Sequence, residues 1–248
     1  ALLMKPRNRL FRGATPDKVI QTIDIGTGES SYLVGQSNKF TARKYEAVEP
    51  RYDNSSPEWV SAPRASAPRI RVMAVPLSQA LETLENERMR VRHFNFDMPS
   101  VRNRPDKEQN YAETVENYQL HNFFDKARHL LLPQGKVFLT SEQPGLLEHI
   151  AQIAKAYGFV VRPRTRKGKA QPSVLPETYP IAPVGWKDKR NVVKKSDSPQ
   201  VRLFKNLEPY FDEKRFKREP KTAFTEKALK HGLGIYRLEL IWRQKSAR

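Results

Sequence analysis

The sequence contains no cysteine among its 248 residues, which excludes disulfide bonds, thiolate metal sites and cysteine nucleophiles. Its five histidines show no HExxH or similar spacing, so we expect no metal site. No apolar run approaches the roughly 18 residues that a membrane-spanning helix needs, so we expect no membrane partner.

Acidic residues are scarce relative to basic ones. The chain has 27 Asp and Glu against 45 Lys and Arg, a net charge of +18 and a pI of about 10.1. The excess is uneven, because residues 1–161 carry a net charge of +4 and residues 162–248 carry +14. Such a balance indicates a polyanionic partner, since Lys and Arg gain affinity by displacing counterions from phosphates. We expect this partner to be RNA.

Apolar residues are also few, at 38% of the chain with a mean hydropathy of −0.72, and there are 19 prolines. The length allows one full-sized core and an appendage. The prolines predict much irregular chain around that core.

The sequence is organised around a β-branched strand that runs into a glycine turn, residues 22–33. Gly26 and Gly28 allow tight backbone geometry, and a helix after such a turn offers free N–H groups to a nucleotide-like ligand. Glu49 ends a second strand about 20 to 25 residues further on, where related folds bind a ribose hydroxyl. We therefore take Asp24, Gly26, Gly28 and Glu49 as candidate cofactor-binding residues. An ordinary strand-to-helix turn and an exposed strand-end charge are the alternative interpretations.

A fourth strand ends in polar residues followed by proline, at positions 94–99. In open α/β sheets, ligands bind at the carboxyl ends of the strands. Asn95 and Asp97 are therefore candidate catalytic residues, with Asp97 as a base or orienting group and Asn95 as a positioning group.

Strands and helices alternate along the first two thirds of the chain. The pattern predicts helices at Leu77–Arg88, Glu113–Leu132 and Gly145–Tyr157, and strands at Lys136–Thr140, Phe159–Val161 and Tyr236–Trp242. Residues 171–199 have loop composition. The alternation predicts an α/β fold, a parallel Rossmann-like sheet with helices on both faces.

The last third interleaves cations with aromatic rings, a pattern typical of RNA binding because cations contact phosphates while rings stack on bases. The alternative is that the rings anchor a long insertion and the charges are solvated. The candidate RNA-binding residues are Arg162, Arg164, Arg166, Lys167, Lys169, Lys187, Lys189, Arg190, Lys194, Lys195, Lys214, Arg215, Lys217 and Arg218.

Several segments resemble the ribosomal RNA (uridine-N3) methyltransferase-like family. They are the glycine motif at residues 26–32, Phe94-Asn95-Phe96, residues 122–127, residues 130–140 and, more weakly, residues 210–215. The glycine turn, Glu49, Asp97 and the basic loop are also similar to tRNA (guanine-N7) methyltransferases. Both resemblances imply a Rossmann-like class I methyltransferase that uses S-adenosylmethionine on RNA, most simply ribosomal RNA.

The resemblance divides the chain into four parts. These are a basic arm (1–19), a methyltransferase-like domain (20–161), a basic RNA-binding insertion (162–234), and a final strand with a tail (235–248). The acid-free, basic first residues are typical of a processed organellar precursor, which makes a mitochondrial ribosome, with ribosomal or ribosome-assembly proteins as partners, our expectation.

Two departures from the family leave an alternative open. Asp97-Met98 stands where the uridine-N3 family has Pro-His, and residues 73–77 lack the carboxylate that related enzymes use for the adenine amino group. The alternative is a catalytically inactive, methyltransferase-like ribosomal protein or assembly factor that binds ribosomal RNA structurally.

Overall fold

The computed structural model describes residues 18–26, 44–48, 70–73, 75–98, 111–162, 178–182, 222–230 and 234–243. These residues form eight strands and five helices. The strands are β1 Val19–Ile25, β2 Lys44–Val48, β3 Ile70–Met73, β4 Arg90–Asp97, β5 Leu131–Ser141, β6 Phe159–Val161, β7 Thr178–Ala182 and β8 Ile235–Trp242. The helices are α1 Leu77–Asn86, α2 Tyr111–Asn117, α3 Leu120–Leu130, α4 Pro144–Ala156 and α5 Ala223–Lys230.

All eight strands belong to one sheet, in the order β3-β2-β1-β4-β5-β8-β6, with β7 also paired to β8. Strands β1 to β5 run parallel, whereas β8 is antiparallel to β5, β6 and β7. The predicted α/β, Rossmann-like fold class is confirmed. The reversal of β8 is a feature that the alternation of elements did not predict.

The core lies between the strands of the sheet and helices α1, α3 and α4. Apolar residues of α3 recur at spacings of three and four, which places them on one face of the helix. Phe123 packs edge-on against Phe94 and Phe96 of β4, with ring centroids 5.3 and 5.5 Å apart. All three rings are buried, and burying such a side chain stabilises the folded state by about 1.5–3 kcal/mol. This packing fixes β4 and therefore the residues at its carboxyl end.

The single helix predicted at Glu113–Leu132 is wrong in two respects. It is divided at Gln119, which has a left-handed backbone (φ +50°), and it ends at Leu130 because Leu131 already belongs to β5. Pro133 and Gly135, which follow the expected helix, lie within β5, where Gln134 also has a positive φ of 63°. The strand is irregular here, since its register with β4 shifts between Val91 and His93.

The loop predicted for residues 171–199 is also corrected, because residues 178–182 form strand β7. An added strand at this point satisfies backbone groups along β8. Pro180 lies within this strand, which is compatible with its place at the edge of the sheet, where prolines are tolerated. The helix expected after the glycine turn lies outside the described residues.

Candidate functional site

The chain reverses its direction of travel across the sheet between β1 and β4. From β1 it proceeds outward to β2 and β3, and it then returns to pair β4 on the opposite side of β1. In open α/β sheets the carboxyl ends of strands at such a switch point form the ligand-binding crevice. Asp24 and Gly26 come from the end of β1, and Asn95 and Asp97 come from the end of β4.

Asp24 and Asn95 form a buried polar pair across this switch point. Their Cα atoms are register partners, and Asn95 Nδ2 donates a hydrogen bond of 2.6 Å to Asp24 Oδ1. Asp24 is 1% exposed and Asn95 is 2% exposed. A short bond in such a dry environment holds the amide in one orientation. Asp24 therefore sets the direction in which Asn95 presents its carbonyl oxygen.

Gly26 makes the turn at the end of β1. Its backbone has φ +71°, and its N–H donates to the Val48 carbonyl at 2.8 Å, which joins the ends of β1 and β2. A Cβ on Gly26 would lie 3.6 Å from the Asp97 carbonyl oxygen, an ordinary contact. Glycine is therefore needed here for its left-handed backbone rather than for lack of space.

Asp97 is a buried carboxyl group at the end of β4. It is 4% exposed, and burial raises its pKa from 3.8 to about 6. The nearby side chains of Thr222 and Thr140 and the charge of Arg237 act in the opposite direction. No donor among the described residues reaches Asp97 Oδ1. A carboxylate with this pKa is mostly ionised at neutral pH and can accept a proton.

Some of the predicted site residues come together in the structure, and others lie outside the part of the chain that it describes. Asp24, Gly26, Asn95 and Asp97 are brought together at one edge of the sheet, and the end of β2 at Val48 lies at the same edge. Gly28 and Glu49 lie outside the described residues. Of the candidate RNA-binding residues only Arg162 is described, and its guanidinium contacts Glu239 Oε1 at 2.8 Å. The other thirteen, from Arg164 to Arg218, also lie outside.

Three residues around Asp97 were missed by the sequence analysis. Thr140 is its register partner on β5, Arg237 is the partner of Thr140 on β8, and Thr222 precedes helix α5. Thr222 Oγ1 accepts the N–H of Thr225 at 3.0 Å, which caps that helix. Only Thr140 carried a signal, as the polar residue near the end of an apolar strand. The other two come from segments distant in sequence.

Within the described ranges, no group of three or more metal-ligating side chains occurs. The same part of the chain contains no helix that is long and apolar enough to span a membrane.

Comparison with known proteins gives likeness in structure without likeness in sequence. No protein-family model matches the chain, and no curated protein matches it. Among solved structures, the 16S rRNA methyltransferase KamB is 11% identical, with 92% of this chain and 91% of that chain covered and a TM-score of 0.48.

Two further solved structures show the same level of likeness. A mutant 16S rRNA (adenine(1408)-N(1))-methyltransferase with cosubstrate SAM, from Catenulisporales acidiphilia, is 11% identical, covers 94% and 88% of the two chains and has a TM-score of 0.47. Precorrin-6y C5,15-methyltransferase from Geobacter metallireducens is 12% identical, covers 92% and 80%, and has a TM-score of 0.46.

Proposed function

We propose that this protein is an S-adenosylmethionine-dependent RNA methyltransferase that acts on ribosomal RNA. The observation that carries the proposal is the position of Asp97, a buried carboxylate at the switch point, beside a glycine turn and an oriented amide. The charge of the chain supports a polyanionic substrate, because the net +18 belongs mainly to its last third.

The residues of the switch point fit the cofactor. Gly26 supplies a left-handed turn at which a ligand can come close to the backbone, and Asp24, two residues earlier on β1, supplies a buried carboxylate. When bound, S-adenosylmethionine would supply an electrophilic methyl group. Gly28 and Glu49 would complete the binding of the cofactor, as the resemblance implies.

Asp97 would act on the substrate. A uracil or guanine ring nitrogen carries a proton that must leave before the nitrogen can be methylated. Asp97 Oδ1 is an acceptor without a donor among the described residues, so a base N–H can hydrogen-bond to it and transfer its proton there. Asn95, held by Asp24, would orient the base, and such alignment supplies much of the rate in transfer reactions.

The experiment is transfer of a radiolabelled methyl group from S-adenosylmethionine to mixed ribosomal RNA. Asp97→Asn is expected to lower the rate by about 10²- to 10⁴-fold, the usual contribution of a general base. The wild-type rate is expected to rise with pH through about 6, because only the ionised carboxylate accepts a proton.

The melting temperature of Asp97→Asn serves as a control for a folding defect. Asparagine resembles the neutral carboxylic acid that burial favours, so the melting temperature of the variant at pH 7 should not fall. A folded Asp97→Asn protein with undiminished methyl transfer would remove the role of Asp97.

A second candidate function is structural RNA binding without catalysis. It is favoured by the segment after β3, residues 73–77, which has no carboxylate for the adenine amino group. An inactive protein would bind ribosomal RNA with strong salt dependence and would not bind S-adenosylmethionine. Its partners would be ribosomal or ribosome-assembly proteins.

A further inference from the structure

Strands β5 and β8 place a group of charged and aromatic side chains on one face of the sheet. Phe138 is the register partner of Glu239, and Thr140 is the partner of Arg237. Lys136 lies two residues before Phe138 on β5 and therefore projects from the same face. Arg162, just after β6, donates its backbone N–H to the Glu239 carbonyl at 2.8 Å. We call Lys136, Phe138, Arg162 and Arg237, with Glu239 among them, the cationic face.

The side chains of the cationic face contact one another. Lys136 Nζ and Arg162 Nη1 lie 2.9 and 2.8 Å from the same oxygen, Glu239 Oε1. Lys136 Nζ also lies 5.9 Å from the centroid of the Phe138 ring, and Arg237 Cζ lies 5.8 Å from it. These distances are within the range of cation–π attraction. The aromatic ring and the carboxylate together hold the three cations in one place.

The charges on this face do not cancel. Two carboxylates, Glu239 and Asp97, lie near the three cations, which leaves one positive charge in excess. Burial raises the pKa of Glu239, but the hydrogen bonds and charges of Lys136 and Arg162 together outweigh it and keep this pKa below its ordinary value. The Glu239 side chain is 2% exposed, whereas that of Lys136 is 26% and that of Arg162 is 50% exposed. An approaching anion therefore meets the cations, and the carboxylate lies behind them.

The cationic face adjoins the candidate catalytic residue. Arg237 pairs with Thr140, which pairs with Asp97, and the charge of Arg237 acts on the Asp97 carboxyl group. From Thr140 the face extends along β5 to Lys136, four residues or about 13 Å. A chain of phosphates that starts beside Asp97 can follow this line.

We propose that the cationic face binds the phosphate backbone of the RNA strand whose target nucleotide lies at Asp97. The proposal rests on the proposed function and assigns it a contact surface on the sheet itself, in addition to the basic last third of the chain. Lys136 and Arg237 contact phosphates, and Phe138 holds their side chains in position. Glu239 limits the positive charge when no RNA is bound.

The test is the affinity of the full chain for a fluorescein-labelled single-stranded oligouridine, measured by anisotropy over a range of salt concentrations. Lys136→Gln and Arg237→Gln should each weaken binding about two- to fivefold, as expected for a partly exposed charge pair. The slope of log affinity against log salt should fall by about 0.7 for each cation removed. Lys155→Gln, which removes an exposed cation from helix α4, is the matched control. It should change neither the RNA affinity nor the salt slope.

Glu239→Gln provides a change in the opposite direction, which a folding defect cannot produce. It frees Lys136 and Arg162 from their shared carboxylate, so RNA binding should become tighter and the salt slope steeper. The proposal is overturned if Lys136→Gln and Arg237→Gln behave like Lys155→Gln. It is also overturned if they weaken binding to polyaspartate while RNA affinity stays unchanged, since the face would then serve an acidic protein.

The outcomes separate this proposal from the proposed function. A wild-type protein that binds no RNA contradicts the proposed function itself. A wild-type protein that binds and methylates RNA, with variants that bind equally well, contradicts only the role of the cationic face.

Discussion

Two buried carboxyl groups, Asp97 and Glu46, have raised pKa values for the same physical reason but in different surroundings. Burial raises the pKa of Asp97 to about 6 and that of Glu46 to about 7. Asp97 lies at the end of its strand, at the switch point of the sheet. Glu46 lies within β2 and contacts Arg71 Nη2 at 2.7 Å. The first is placed to meet a ligand, and the second belongs to an ion-pair network with Arg71 and Glu87.

Glu46 should make the protein less stable as the pH rises. Its pKa in the folded chain lies above its ordinary value of 4.5, so between pH 4.5 and about 7 the folded state binds more protons than the unfolded state. The free energy of unfolding therefore falls across this range, by an amount on the order of 3 kcal/mol. Glu46→Gln should remove this fall, which urea unfolding at several pH values between 4.5 and 8 would measure.

Glu87→Gln is the matched control for Glu46, because both carboxylates bind the same guanidinium. Hydrogen bonding to Arg71 lowers the pKa of Glu87, so its contribution is present above its ordinary pKa and is lost as the pH falls. The two variants should therefore change the pH dependence of stability with opposite signs. Equal pH profiles for wild type and Glu46→Gln would contradict the account of Glu46.

At the residue scale, sequence reasoning located groups that end strands and missed groups that depend on neighbours. Asn95 and Asp97 could be identified because a polar pair followed by proline marks the end of β4. Their mutual arrangement with Asp24 needed the pairing of β1 with β4. Glu46 gave no signal, since a charged residue in a short strand usually faces solvent.

Among the elements, the turn after β1 depends most on a single residue. Gly26→Ala should lower the free energy of unfolding by about 1–2 kcal/mol, because an L residue is strained at φ +71°. Gly26→Asn should cost less, since asparagine adopts the left-handed region more readily. Urea unfolding of the two variants beside wild type would measure both losses.

Comparing these two variants distinguishes backbone strain at Gly26 from lack of space for a side chain there. A Cβ at Gly26 has an ordinary 3.6 Å contact, so backbone strain should decide the result. If Gly26→Asn destabilises the protein more than Gly26→Ala, side-chain size rather than φ limits this turn, and the explanation given for the glycine is wrong.

Elements with strong periodicity were predicted well, and irregular ones were not. Helices α1 and α4 and strands β6 and β8 lie within about one or two residues of their predicted bounds. The break at Gln119 was missed because neither glycine nor proline marks it. Strand β7 was missed because its pairing with β8 depends on a contact between segments distant in sequence.

For the whole molecule, the composition and the alternation of strands and helices were sufficient to predict the fold class. They were not sufficient to predict the order of the strands in the sheet. Alternating strands and helices predict a parallel sheet, and the charge distribution predicts a polyanionic partner. The insertion of β8 between β5 and β6 is a long-range pairing that local patterns do not encode. That insertion places Arg237 where its charge acts on Asp97 and creates the cationic face, so the surface proposed for the substrate could not be found from sequence.

Every role proposed for this site depends on binding of S-adenosylmethionine at the end of β1. Isothermal titration calorimetry of the cofactor into the full chain tests this most directly. The account predicts one site with micromolar affinity, weakened in Asp24→Ala and unchanged in Asp97→Asn, because Asp97 is assigned to the RNA base. Absence of any binding heat in the folded wild-type protein, together with salt-sensitive RNA binding, would contradict it and favour the structural role.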